Sequence, residues 1–110
     1  MEHIYGMIHR IEKIEAAIME NVTEARHHIE CAHKLRDECR MSADWYRDMA
    51  VKHMEFNAKG RDVYEMLMRK LAEEPDAAQV FPGVKMAYGS WMNRINEETA
   101  RVHAMIGMYK

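Results

Sequence analysis

Residues 4–32, IYGMIHRIEKIEAAIMENVTEARHHIECA, decide the fold, because their apolar side chains return at alternating spacings of three and four. The stripe consists of Ile4, Ile8, Ile11, Ile18, Val22, Ala25, Ile29 and Ala32. Glu15 takes the one position of this stripe where an apolar residue is missing. This is the spacing of an α-helix with one buried face, so the sequence predicts a helix over about residues 2–35.

Two more stripes with the same helical period follow along the chain. The second consists of Cys39, Ser42, Tyr46, Met49, His53, Phe56, Gly60, Val63 and Leu67. The third consists of Val84, Tyr88, Trp91, Ile95, Glu98, Val102, Met105 and Tyr109. They predict helices over about residues 37–74 and 82–109, with Asp37 capping the first turn of the second helix. Pro75 ends that helix and Pro82 suits the start of the third, so both prolines lie in the one substantial loop.

The whole chain, residues 1–110, has the length of one domain with a core of its own. Three helical stripes joined by short connections predict an all-α antiparallel bundle of three long helices, without strands. The apolar faces are wide, and the 12 methionines suit adaptable interfaces. We therefore expect the protein to bind itself as a homodimer or a higher oligomer.

Charge and hydropathy exclude several classes of partner. The 16 basic and 18 acidic residues are interleaved, so no polybasic run is present to bind nucleic acid. No apolar run approaches the roughly 18 residues that span a bilayer, and the first residues lack the layout of a signal peptide. The sequence predicts a cytoplasmic protein without nucleic acid or membrane as a partner, in which Cys31 and Cys39 are free thiols.

Motifs of the common enzyme classes are missing from the sequence. The five glycines are scattered instead of forming a phosphate-binding loop. Cys31 and Cys39 are too far apart for a Cys-x-x-Cys pair, and neither Ser42 nor Ser90 has the context of a nucleophile elbow. We therefore expect a protein that is not an enzyme.

One ionisable residue interrupts each of the three stripes. If the helices pair antiparallel through the two predicted turns, Glu15 and Glu98 both lie level with about residue 58 of the second helix. His53 lies roughly 7.5 Å from that level along the axis. The predicted polar layer consists of Glu15, His53 and Glu98, with Asn21, His28 and His103 at its margin.

Two interpretations of this polar layer stay open. Carboxylates and imidazoles that converge from facing helices hold pairs of iron or manganese ions, which the glutamates bridge. A buried polar layer can instead fix the register of the helices without any ion. Because a two-metal site needs more ligands than this layer offers, we expect no cofactor, with iron or manganese as the alternative.

Two Glu-x-x-His pairs occur in the first helix, Glu24 with His27 and Glu30 with His33. In carboxylate-bridged sites such pairs project into the bundle, where both side chains reach the ions. Here all four residues lie off the apolar stripe. The sequence therefore predicts that they are surface pairs, which stabilise the helix modestly.

Four short segments carry a resemblance to known proteins. They are Glu24-Ala25 with His28 and Ala32, then Trp45-Tyr46-Arg47-Asp48-Met49-Ala50, His53-Met54-Glu55-Phe56-Asn57 and Val102-His103-Ala104-Met105-Ile106. This combination resembles a group of small uncharacterised helical proteins of tailed phages and prophages, which look like trimmed members of the ferritin-like class. Relatives of this kind carry a Glu-x-x-His pair where this chain has His53 and Phe56, and an acidic residue where it has Asn21. The resemblance implies a ferritin-like bundle whose ancestral metal site is degraded.

The sequence thus predicts a non-catalytic accessory or interaction protein with a phage or prophage connection. Its expected partners are further copies of itself and other phage or host proteins. The alternative is a ferritin-like carboxylate–histidine metal-binding protein that uses the polar layer. Glu15→Gln separates the two predictions, because only the metal-binding protein would lose an ion.

Overall fold

Three long helices make up the protein. The structure, a computed structural model, describes residues 2–110. Helix α1 spans Glu2–Leu35, α2 spans Arg40–Glu73 and α3 spans Phe81–Met108, with a 3-10 turn over Pro75–Ala77 before α3. The predicted all-α bundle of three long antiparallel helices is confirmed. Among residues 2–110, none of the helices contains an apolar stretch of the length that a membrane span requires.

Helices α1 and α2 form the most extensive helix pair of the molecule. Their antiparallel course brings the Tyr64 hydroxyl to 2.9 Å from Glu15 Oε2. Further along, the rings of Tyr46 and His28 lie 5.8 Å apart between centroids. Contacts between the two helices therefore continue over several turns, which fixes their register.

Helix α3 runs in the same direction as α1. The Arg26 guanidinium lies 3.3 Å from Glu98 Oε2, and His33 Nε2 lies 2.8 Å from the Met105 carbonyl oxygen. In both contacts the two residues are 72 positions apart, so α3 keeps one register against α1. The three helices together form a rod with extents of 58 × 19 × 15 Å.

The apolar stripes predicted for α1 and α3 lie in the core. Every residue of the α1 stripe is buried except Ile8, which is half-buried beside the buried Met7. From α3, the structure buries Trp91, Ile95 and Val102. Since these helices each carry a single apolar column, the helical period alone was enough to find their buried faces.

The stripe predicted for α2 is wrong by one position in most of its length. The buried residues of α2 are Ala43, Ala50, Met54, Asn57, Tyr64, Met68 and Leu71. Phe56 and Val63, predicted to lie inside, are 65% and 43% exposed, whereas Tyr64 is 1% exposed. Ala43 and Ala50 are fully buried in this column, and small side chains at a helix contact permit the close packing that favours this face over the predicted one.

The turn between α1 and α2 differs from the prediction. The amides of residues 38 and 39 donate to the Leu35 carbonyl, which closes α1 and uses the residues before α2. Helix α2 therefore begins at Arg40, with Cys39 as its N-cap, and Asp37 does not cap it. Cys39 and Cys31, both within the described residues, are free thiols.

The turn between α2 and α3 agrees with the prediction in its main features. Helix α2 ends at Glu73, two residues before Pro75 begins the 3-10 turn. Pro82 lies in the first turn of α3, where its missing amide hydrogen is not needed. Phe81 is half-buried and packs against the core, so it anchors the start of α3 to the bundle.

Candidate functional site

Three metal-ligating side chains meet where α1 and α2 pair. Within residues 2–110, Glu24, His28 and His53 are the one group of at least three such residues whose ligand atoms all lie within 4.8 Å of one another. Glu24 and His28 are one helical turn apart on α1, so they share a face. His53 comes from the facing position of α2. The helix pair therefore builds a cluster of two imidazoles and one carboxylate.

His53 is held between the two helices by contacts at both ring nitrogens. Its Nδ1 lies 3.0 Å from Asn21 Oδ1, and its Nε2 lies 3.5 Å from Glu24 Oε2. An amide oxygen only accepts hydrogen bonds, so Nδ1 must donate and carry the hydrogen. Nε2 is then the nitrogen that faces the carboxylate. The His53 side chain is 24% exposed and that of Glu24 50% exposed, so the cluster opens to solvent on one side.

His28 lies between two aromatic neighbours. Its ring centroid is 5.2 Å from that of His53, at an interplanar angle of 15°, and Tyr46 lies 5.8 Å away on α2. Burial against these rings lowers the pKa of His28, and the charge of His53 lowers it further, whereas Glu24 opposes both effects. His28 is therefore biased toward the neutral form, which has a free nitrogen lone pair.

Glu15 lies apart from this cluster, in a half-buried position on α1. Its Oε2 accepts the hydrogen bond of Tyr64, which comes from α2 six residues past the predicted level of residue 58. Burial raises the pKa of Glu15, with the Tyr64 hydrogen bond opposing part of that rise. Glu15 is thus a glutamate paired with a tyrosine in the bundle.

Glu98 has basic partners at a different level of the bundle. Its two carboxylate oxygens contact Arg26, at 3.3 Å, and Arg101, at 2.8 Å. Since Arg26 is eleven residues beyond Glu15 on α1, the two glutamates lie roughly 16 Å apart along the axis. The predicted layer of Glu15, His53 and Glu98 is therefore wrong as a single layer, because the errors of two predicted turns added together.

Two of the three residues predicted at the margin of the polar layer lie beside His53 in the structure. Asn21 and His28 were named as marginal residues, and both contact His53. His103 is exposed on α3. Glu24 was discounted as a surface residue, and its side chain is indeed half-exposed, yet it borders the cluster. The signal for it was its spacing of four from His28, which sets both side chains on one face.

The core contains one polar residue that the sequence argument missed. Among residues 2–110, Asn57 is the one buried polar side chain, with 3% of its surface exposed. Within the same part of the chain, neither Oδ1 nor Nδ2 of Asn57 has a hydrogen-bond partner. Such a group costs free energy relative to an apolar residue of the same size. Asn57 lies between the levels of Glu15 and Glu98, close to the level at which the sequence predicted a buried polar layer.

The cluster of Glu24, His28 and His53 can hold a proton or a cation between its nitrogens and its carboxylate. Its chemistry follows from side chains on two rigid helices, not from a loop. No protein-family model, curated protein or solved structure matches this chain, so the ferritin-like and phage resemblance stays a prediction.

Proposed function

We propose that the protein is a non-catalytic interaction protein that pairs with a second copy of itself through the outer face of α2. A phage or prophage setting, in which further phage or host proteins bind the same dimer, is part of this proposal. One observation carries it: a row of apolar side chains, interrupted by two lysines, lies on the outer face of α2. Such a stripe on a helix surface is typical of a protein–protein contact.

The outer stripe shares three apolar residues with the predicted core stripe of α2, namely Met49, Phe56 and Val63, and adds two more. It consists of Trp45, Met49, Phe56, Val63 and Met66. Trp45 is 60%, Phe56 65% and Val63 43% exposed. Their spacings of four, seven, seven and three keep them on one side of the helix over roughly 30 Å. Helix α2 thus has two apolar columns, of which α1 covers only one.

Charges beside the outer stripe favour a second copy as the partner. Lys52 and Lys59 lie within the stripe, and Glu55 and Asp62 border it on one side. In an antiparallel pairing centred near Phe56, Lys59 comes within reach of the partner's Glu55 and Lys52 within reach of the partner's Asp62. The twofold axis repeats each ion pair, so the face is complementary to itself.

The same pairing also matches the apolar side chains. Counting 1.5 Å per residue, Trp45 lies level with the partner's Met66, and Met49 with the partner's Val63. Phe56 packs close to the partner's Phe56 on the axis. Aromatic and methionine side chains at the centre with charged residues at the rim are the usual composition of a protein interface.

The mass of the protein in solution tests the proposal. Sedimentation equilibrium of the wild type should fit a dimer, and Phe56→Asp should shift the protein to monomer, because it places a charge on the axis. Met86→Asp is the matched control, since Met86 is exposed on α3 and outside the stripe. A wild type that stays monomeric at high concentration, or a dimer that Phe56→Asp leaves intact, would refute the proposed pairing.

A charge exchange tests the orientation of the two copies. The double variant Lys52→Glu, Lys59→Glu and the double variant Glu55→Lys, Asp62→Lys should each dimerise more weakly than the wild type. Mixed together they should form a heterodimer, because the exchanged charges again face opposite partners. If both variants dimerise alone as well as the wild type does, the antiparallel register is wrong.

A further inference from the structure

We propose that Glu24, His28 and His53 form a binding site for one divalent transition-metal ion of the zinc class, which links α1 to α2. The proposal concerns a site separate from the self-association face. It also differs from the iron or manganese pair considered from the sequence, since it has a single carboxylate and excludes Glu15 and Glu98.

The donor set suits one borderline divalent ion. Two imidazole nitrogens and one carboxylate oxygen are ligands that Zn²⁺ takes in proteins, and three protein ligands leave a fourth position for water. Calcium and magnesium prefer oxygen donors, so a site with two nitrogens selects against them. The ligand atoms already lie within 4.8 Å of one another, and small side-chain movements bring them to one ion.

The orientation of His53 favours a cation in this place. Because Nδ1 donates to Asn21 Oδ1, Nε2 is the ring nitrogen that faces the Glu24 carboxylate, 3.5 Å away, and it is the atom available to bind a metal ion. A positive ion placed between this nitrogen and the carboxylate oxygen is attracted to both atoms. A proton on Nε2 or a metal cation can therefore join Glu24 and His53, and the cation can bind the nearby His28 as well.

The hydrogen bond of Asn21 is the kind of support that metal-binding histidines have. A ligating imidazole commonly donates its other N–H to an oxygen acceptor, which fixes the tautomer and the direction of the ring. Here the acceptor is an amide oxygen on α1, three residues before Glu24. His28 already has a ring nitrogen within 4.8 Å of the ligand atoms of Glu24 and His53. The half-exposed Glu24 side chain leaves a path from solvent.

Zinc titration of the purified protein tests the site. Isothermal calorimetry with Zn²⁺ alone should give one site per chain in the wild type. His53→Ala and Glu24→Gln should weaken binding at least about 10-fold, and Asn21→Ala should weaken it roughly 10- to 100-fold as a supporting residue. His27→Ala is the matched control, because His27 is an exposed neighbour on α1 that lies outside the cluster. Zinc uptake that is absent, or that these three variants leave unchanged, would overturn the proposal.

Two further measurements separate zinc binding from effects of the variants on folding and on self-association. Circular dichroism should show that each variant is as helical as the wild type. Zinc at 100 times its dissociation constant should raise the melting temperature of the wild type on the order of 10 °C, and should not raise that of His53→Ala. Phe56→Asp should bind zinc as the wild type does, so the metal site and the dimer can fail separately. A melting temperature that zinc leaves unchanged in the wild type would contradict a site linking two helices.

Discussion

The Tyr64 hydroxyl of α2 donates a hydrogen bond of 2.9 Å to the Glu15 carboxylate of α1. The centroid of the Tyr64 ring lies 4.6 Å from that of the Trp91 ring on α3. One side chain therefore contacts all three helices. The same contact explains two pKa shifts, since burial together with Glu15 raises the pKa of Tyr64, and burial raises that of Glu15. Two of the predictions below depend on this pair.

Tyr64→Phe should destabilise the protein by about 1–3 kcal/mol, because a half-buried carboxylate loses its hydrogen-bond donor while the ring packing is kept. Urea unfolding at pH 7 measures this loss as a lower midpoint with an unchanged slope. Tyr5→Phe is the control, since Tyr5 is 56% exposed on α1, and it should lie within about 0.5 kcal/mol of the wild type. Equal midpoints for both variants would contradict the role of the Tyr64 hydrogen bond.

Glu15→Gln should stabilise the protein at neutral pH, with an advantage that disappears in acid. The pKa of Glu15 is raised in the folded state above its ordinary value of 4.5, so protonation favours folding. The stability from the protonated group is present below pH 4.5 and is lost as the pH rises through the folded-state pKa. Glutamine keeps an oxygen acceptor for Tyr64 at every pH.

Urea midpoints of the wild type and Glu15→Gln between pH 4 and 7 check this difference. The two curves should converge as the pH falls, whereas Glu20→Gln, at an exposed position of α1, should track the wild type throughout. If the difference in urea midpoint between wild type and Glu15→Gln grows as the pH falls, the pKa of Glu15 is shifted in the opposite direction.

Asn57→Leu should stabilise the protein by roughly 1–3 kcal/mol, because it removes two buried polar atoms without hydrogen-bond partners and keeps a similar volume. Thermal and urea unfolding both report the change. Asn93→Leu, at an exposed position of α3, controls for helix propensity and should have a small effect. If Asn57→Leu lowers the stability instead, the amide has a partner that the apolar side chain cannot replace.

Two glycines within helices should respond differently to alanine. Gly89→Ala should stabilise by about 0.5–1 kcal/mol, since a Cβ there meets nothing within 4 Å and the unfolded chain loses freedom. Gly60→Ala should gain less or lose stability, because its Cβ would lie 3.2 Å from Ile18 Cγ1. The urea midpoints of the two variants rank them, and the opposite order would place α2 further from α1 than the structure has it.

The candidate site shows where sequence reasoning stopped. His53, Asn21 and His28 were all named from the sequence, because they lie on or beside the apolar stripes. Glu24 was set aside since it lies off the stripe, yet an off-stripe side chain can still reach a histidine at the edge of the next helix. The prediction that Glu15 and Glu98 lie at one level of the bundle depended on the positions of both turns. An error of a few residues in the pairing at each turn was enough to separate the two glutamates along the axis.

The sequence by itself determined the three helices, their ends within a few residues and the buried faces of α1 and α3, because helical period and proline are local properties. It placed the buried face of α2 one position away from the face that the structure buries. The tertiary structure buries the neighbouring column, which includes Ala43 and Ala50, and small side chains in such a column permit close helix packing. That choice turned Trp45 and Phe56 outward, buried Tyr64 against Glu15 and brought His53 beside Glu24, because rotating a helix moves every side chain on it together.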